Sequence, residues 1–302
     1  MTRVWGGRTL AESFGRSLPD DQPYGESWEL VDRPDEQSVV KGGPYAGKTL
    51  HELWTDHREE LFGAGHEGDR FPILVKILDA RDDLSIQVHP PLEKAAELGG
   101  EPKTEMWYIA DCDPGSKLYI GLKDGVSRED FETSLQDGSV AEAVHAVEPQ
   151  PQESIFIPSG RLHAIGAGFL IYEIQQNSDT TYRVFDWNRM GLDGNPRELH
   201  VEQSLASIDF EDFEPGMDEG KGGVLADCPF FRVQKSVLGR GSELAGPKDT
   251  FAIVAVDRGE LKTKDGTVLG RGDFCLLPCG ASFLEATQET TVLVTTLPRE
   301  ND

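Results

Sequence analysis

Apolar residues recur along the chain in short runs, many closed by proline or glycine, and within several of them apolar and polar positions alternate with a period of two. That period belongs to strands with one buried face. Runs at 73–78, 84–89, 106–110, 116–121, 154–158 and 169–175 read as strands, and 231–238, 250–256, 259–263, 273–278 and 290–297 continue the pattern in the last third. Three helix starts interrupt it. Thr49-Leu50-His51-Glu52 has the form of a capping box and opens a stretch with Leu50, Leu53, Trp54 and Leu61 on one face. Ser139-Val140-Ala141-Glu142 opens a second helix, closed by His145. Asn195-Pro196-Arg197-Glu198 puts proline at the first position of a third, which runs to about Ser207. Many short strands with turns between them predict a mainly β fold, a sandwich or barrel, with a few helices in its first part.

The stretch from Asp209 to Gly223 is acidic and contains Pro215 and several glycines, the composition of a connector. It divides the chain into an N-terminal domain at 1–208, a linker at 209–223 and a smaller all-β barrel at 224–302. All seven histidines, at positions 51, 57, 66, 89, 145, 163 and 200, precede the connector. The second barrel therefore has no imidazole to offer a metal and is expected to be structural or to shape the edge of the site.

Charge and composition narrow the function. With 29 Lys and Arg against 54 Asp and Glu, the formal net charge is -25, which repels a nucleic-acid backbone. An anionic small molecule is still admissible, but needs a local cluster of Lys and Arg. No apolar run approaches the ~20 residues that cross a bilayer, and Met1-Thr2-Arg3-Val4-Trp5-Gly6-Gly7 lacks the apolar core of a signal peptide. A cytoplasmic protein without a membrane partner is expected. The four scattered cysteines, Cys112, Cys228, Cys275 and Cys279, read as free buried thiols.

Three segments carry metal-ligand chemistry. In Asp83-Leu84-Ser85-Ile86-Gln87-Val88-His89-Pro90 the alternation is strict, so Ser85, Gln87 and His89 share one face. A hydroxyl, an amide and an imidazole on one face, with no Lys or Glu among them, is unlike an ordinary solvated face. Side chains two apart lie ~7 Å apart at Cα and can converge on one ion. In Pro102-Lys103-Thr104-Glu105-Met106-Trp107-Tyr108-Ile109, Glu105 shares a face with Trp107 and Ile109, where a carboxylate is costly unless it meets a cation. Either a metal or Lys103 could supply that cation. In Ile157-Pro158-Ser159-Gly160-Arg161-Leu162-His163, proline and glycine fix a turn that aims the imidazole of His163. Gln87, His89, Glu105 and His163 make a mixed N/O set suited to zinc, with manganese and iron as alternatives. His51, His57, His66, His145 and His200 are expected to be surface or packing residues.

A further stretch runs from Tyr172 to Arg189. Glu173 and Gln175 lie on one strand face, and Asp179 and Arg183 are four apart and able to pair. That pair is either an ordinary surface contact or part of a site in which Arg183 binds a phosphate or developing oxyanion, with Asp179 or Glu173 orienting it or moving protons.

The sequence resembles the type I mannose-6-phosphate isomerases of the shorter, bacterial kind. Four segments carry the likeness: Leu84-Ser85-Ile86-Gln87-Val88-His89-Pro90, Lys103-Thr104-Glu105-Met106-Trp107-Tyr108, Ile157-Pro158-Ser159-Gly160-Arg161-Leu162-His163-Ala164-Ile165 and Ser178-Asp179-Thr180-Thr181-Tyr182-Arg183. Val4-Trp5-Gly6-Gly7, Gly25-Glu26-Ser27-Trp28-Glu29 and Arg197-Glu198-Leu199-His200 add to it, and it weakens beyond residue 208. The resemblance implies two cupin barrels and one Zn2+ per chain on Gln87, His89, Glu105 and His163. It also implies interconversion of mannose 6-phosphate and fructose 6-phosphate, with Arg183, Lys103, Asp179 and Glu173 at the site. The large helical insertion of the longer forms is missing, so no substrate contact made through it carries over. A metal-dependent cupin oxygenase and a non-catalytic sugar-binding cupin are the competing readings. Protein partners are not legible.

Overall fold

The computed structural model describes residues 1–218, 220–280 and 283–298. Glu219 of the expected connector and residues 281–282 and 299–302 of the expected second barrel lie outside the described residues. The chain divides into two compact units, Met1–Trp28 with Val75–Asp218, and Glu29–Leu74 with Glu219–Asp302.

The first unit holds two five-stranded sheets. One runs in the order Ser154–Ile157, Glu105–Cys112, Phe169–Gln176, Ile73–Ala80, Glu26–Leu30, and the other Tyr182–Phe185, Ile86–Val88, His163–Ile165, Leu118–Leu122, Val144–Val147. Leu78, Trp107, Ile109, Ile155, Ile157 and Ile171 of the first sheet pack with Leu118, Ile120 and Ile165 of the second, and with Leu84, in a single buried cluster. Two sheets closing on one core is the barrel that the alternating runs predict. A second buried cluster, with Phe131, Val140 and Leu162, joins the helices at 128–143 to the other face of the second sheet.

The second unit has a five-stranded sheet, a four-stranded sheet and the two-stranded pair Asp32–Arg33 and Glu36–Gln37. Val254, Val256, Leu261, Leu277, Leu284 and Val292 form the buried cluster of its strands. Residues 29–74 are expected in the N-terminal domain but group with this unit, because their aromatic side chains need a hydrophobic partner there. Trp54, Phe62 and Phe71 stack edge-on or tilted with ring centroids 5.0 to 5.6 Å apart, and Phe251 joins them at 5.2 Å from Phe62 and 5.4 Å from Phe71.

The acidic stretch is not a free connector over its first half. Arg161 grips Asp212 with two hydrogen bonds of 2.8 Å, and Leu122 exchanges backbone bonds with Asp212 and Glu214. Two helix starts also differ. Thr49 forms its capping box with Glu52, but Ser139 turns its hydroxyl to Asp137, and the helix behind it ends at Ala143. The box in this region belongs instead to Ser127 and Asp130, which open Arg128–Asp137. The third helix begins at Val201, not at Pro196, because Arg197 is drawn to Asp186, and residues 197–200 have no regular secondary structure. The four cysteines are free, as expected, but half-buried.

The Pro158–His163 turn depends on Gly160, whose φ is +93° and where a Cβ would sit 3.3 Å from the Ser207 carbonyl oxygen. Gly160 N–H donates to the His89 carbonyl (2.9 Å) and its own carbonyl accepts from Asp209 N–H (2.9 Å), so the turn ties two candidate ligands to the docked 209–218 segment. Gly160→Ala is expected to cost about 1–2 kcal/mol, read as a lower urea midpoint.

Candidate metal centre and cavity

Sheet register decides which side chains meet. His163 and Arg183 are the cross-strand partners of Gln87, one on each side, so the three stand in one row across the second sheet. On the first sheet, Glu105 pairs with Gln175 and Trp107 with Glu173. Directly opposed residues have Cβ atoms ~5 Å apart.

Glu105 is fully buried, and its carboxylate meets both imidazoles: Oε2 lies 3.5 Å from His89 Nε2 and Oε1 lies 3.6 Å from His163 Nε2. The outer nitrogens of both rings are spoken for. His89 Nδ1–H donates to the Thr180 carbonyl (2.8 Å) and His163 Nδ1–H to that of Arg161 (2.9 Å). A ring anchored through Nδ1–H carries its lone pair on Nε2, aimed inward, which is the arrangement metal-bound histidines use. Burial first, then the nearby Lys103 ammonium, pushes His89 down to about 4, and burial likewise lowers His163. Both rings are therefore neutral at neutral pH. Among the described residues His89 Nε2 and Glu105 Oε1 are buried without a hydrogen-bond partner, a costly state in a folded protein unless a cation completes it. His89, Glu105 and His163 have ligand atoms within 4.8 Å of one another and could hold a metal ion; no other His, Cys, Asp or Glu group among the described residues does so. The amide of Gln87 lies 3.3 Å from His163 Nε2 and accepts from Ser85 through Oε1.

Lys103 supplies the other cation that the sequence left open for Glu105, with Nζ 2.7 Å from Oε2 and 3.9 Å from Glu173 Oε1. Burial disfavours its ammonium, but Glu105 and Glu173 outweigh that and hold its pKa above the ordinary lysine value. Burial also opposes the Glu105 carboxylate, and Lys103 followed by His89 overcomes it, keeping the group well below the usual range. Glu173 is fixed by Trp107 Nε1–H (3.2 Å) and Lys76 (3.2 Å).

Sequence reasoning missed Lys76, Glu26 and Arg3. A lysine within the apolar 73–78 run was the available signal. The carboxylate of Glu26 accepts from Arg3 (2.9 and 3.0 Å) and Trp28 (2.8 Å). Burial raises its pKa, yet Lys76 and Arg3 prevail and lower it to about 2. A depressed carboxylate stabilises the fold fully above its unfolded value and ceases to as pH falls through the folded one. Glu26→Gln is therefore expected to flatten the acid limb of a urea-derived stability curve between about pH 4.5 and about pH 2, by on the order of 3 kcal/mol.

Glu26, Lys76, Gln87, Lys103, His163 and Glu173 line a cavity of about 580 Å³ that also takes in Asp179, Leu192, Arg197 and His200. The expected Asp179–Arg183 pair does not form. Asp179 is exposed without an ion pair among the described residues, while Arg183 Nη1 donates to the Glu198 carbonyl (2.8 Å). His200, expected as a packing residue within a helix, instead precedes the helix and lines the cavity.

The profile of the phosphomannose isomerase type I catalytic domain matches residues 1–114. The mannose-6-phosphate isomerase ManA of Bacillus subtilis is 40% identical over 290 residues, covering 92% of this chain and 90% of that one. The chain belongs to the type I mannose-6-phosphate isomerase family. A mannose-6-phosphate isomerase of Streptococcus mutans is 37% identical, over 91% of this chain and 89% of its own. The crystal structure of the Bacillus subtilis mannose 6-phosphate isomerase superposes with a TM-score of 0.88 at 34% identity, covering 98% of this chain and 97% of that one. The fold is thus the mainly β cupin fold of this family. No helix among the described residues is long and apolar enough to cross a membrane.

Proposed function

We propose that the chain is a zinc-dependent aldose–ketose isomerase that interconverts mannose 6-phosphate and fructose 6-phosphate, with zinc on Gln87, His89, Glu105 and His163. The observation that carries this is the buried Glu105 carboxylate facing two Nδ1-anchored imidazoles, one of which, His163, lines the same cavity as Arg183 and Arg197. A half-turn of the Gln87 amide brings its oxygen toward His163 Nε2, completing a mixed N/O donor set of two imidazoles, a carboxylate and an amide, of the kind zinc accepts. Lewis acidity toward the sugar oxygens is what the bound ion supplies.

The chain's own groups do the rest. Arg183 lines the cavity without an ion pair among the described residues, whereas Arg197 is paired with Asp186, so Arg183 is the guanidinium best able to take a substrate oxyanion or the phosphate. Lys103 stays charged beside the ligands and steadies negative charge on the enediol oxygens. Isomerisation moves a proton between C1 and C2. Of the two carboxylates, Glu173 has both oxygens beside fixed donors or cations, whereas Asp179 has its oxygens uncommitted among the described residues. We therefore assign the proton transfer to Asp179 and the ordering of Lys76 and Lys103 to Glu173. The substrate is a small sugar phosphate, met in the cytoplasm, and the strands of the second unit serve the fold and not the chemistry.

A coupled assay for fructose 6-phosphate, run anaerobically with mannose 6-phosphate, tests the reading. Turnover without oxygen is expected. Oxygen uptake by an iron-loaded protein with no isomer formed would instead point to an oxygenase.

A further inference from the structure

Behind Arg183 lies an uneven grouping of charge. The buried carboxylate of Asp186 serves two guanidiniums: Arg197 donates Nε–H to Oδ2 (2.7 Å) and a second bond to Oδ1, and Arg189 donates to Oδ1 (3.0 Å). Arg183 is left outside this clamp. Burial first, and then Arg197, makes its guanidinium less favourable than usual, while Asp186 and Glu198 act the other way. Within a protein of net charge -25, Arg183 and Arg197 bring two positive charges to this part of the cavity, beside the carboxylates of Asp179 and Asp193.

His200 is joined to this cluster by a reciprocal pair of bonds. Its own N–H donates to the Arg183 carbonyl (2.8 Å), and Arg183 N–H donates to Nδ1 of its ring (3.3 Å). A ring whose Nδ1 accepts must, when neutral, carry its proton on Nε2. That Nε2–H makes no hydrogen bond among the described residues, and His200 lines the cavity beside Arg183 and Arg197. The ring lies tilted against Tyr182, with centroids 6.0 Å apart, so its plane is set by packing as well as by the Nδ1 bond.

We propose that His200 is a further binding residue of this site, donating Nε2–H to the phosphate of the substrate alongside Arg183 and Arg197. The inference rests on the reading of the substrate as a sugar phosphate, and Asp186 acts as the positioning residue that holds Arg197 in place. A donor fixed from behind by a backbone N–H loses little entropy on binding, unlike a free surface histidine.

Two variants separate donation from packing. In His200→Asn the side-chain oxygen can still accept from Arg183 N–H, but the distal donor is gone. In His200→Gln an amide N–H reaches the distal position. Calorimetric titration with inorganic phosphate, alongside steady-state kinetics with mannose 6-phosphate, is expected to give a ~10-fold weaker phosphate Kd and ~10-fold higher KM for His200→Asn, the scale of one hydrogen bond to a charged group. Its kcat should change by less than about 3-fold, and His200→Gln should stay within about 3-fold of the parent throughout. Unchanged phosphate affinity in a His200→Asn protein with the parent's melting temperature overturns the proposal. Equal losses in both variants with lowered melting temperatures also overturn it, since packing against Tyr182 would then be the role. If the parent binds phosphate with the expected variant pattern yet does not isomerise mannose 6-phosphate, the isomerase reading fails and the assignment of His200 stands.

Discussion

Glu105→Gln is expected to lower metal affinity by at least ~10²-fold and to take turnover of mannose 6-phosphate down with it. Loss of groups that merely orient ligands costs 10–100-fold in other metal sites, and Glu105 is proposed as a ligand itself. Its two oxygens face His89 Nε2 at 3.5 Å and His163 Nε2 at 3.6 Å, so one neutral amide cannot present an acceptor to both sides. The substitution also removes the closest counter-charge of Lys103, at 2.7 Å, leaving only Glu173 at 3.9 Å. Breaking a buried pair by removing one partner costs about 3–5 kcal/mol, so lower stability should accompany the metal loss. Elemental analysis of the purified variant, beside its urea midpoint, checks both. Retention of one zinc per chain would remove Glu105 from the ligand set.

Arg183→Ala is expected to cut turnover at least ~10²-fold, the usual scale for one lost stabiliser of developing charge. The argument is geometric. Arg197 and Arg189 are already committed to Asp186, whereas Arg183 has no ion pair among the described residues, lines the cavity and stands in the same row as Gln87 and His163. Removing it should leave metal content unchanged, which distinguishes this variant from Glu105→Gln. Near-normal turnover would refute the role.

Much of this site was legible before any coordinates. Period-two alternation put Gln87 and His89 on one face, and the Pro158–Gly160 turn announced an aimed imidazole at His163, because both are local properties of a few consecutive residues. The same kind of local reading failed where long-range contacts decide. Asp179 and Arg183 are four apart and of opposite charge, yet the carbonyl of Glu198, fifteen residues on, takes the guanidinium instead. The helix start at Pro196 had the right local letters, but a bidentate grip by Asp186 on Arg197 overrides propensity there. Residues 29–74 joined the other unit because aromatic partners at Phe251 are remote in sequence. Lys76 was passed over because one charge in an apolar strand reads as an exception until Glu173 is seen 3.2 Å away.

The central claim is that one zinc on Gln87, His89, Glu105 and His163 is required for isomerisation. It is tested most directly by stripping the protein with chelator and titrating zinc back while following conversion of mannose 6-phosphate. The expected result is negligible turnover without metal, a linear rise, and saturation at one equivalent per chain, with no recovery in Glu105→Gln. Full turnover by the stripped protein, or equal recovery in the variant, would contradict it.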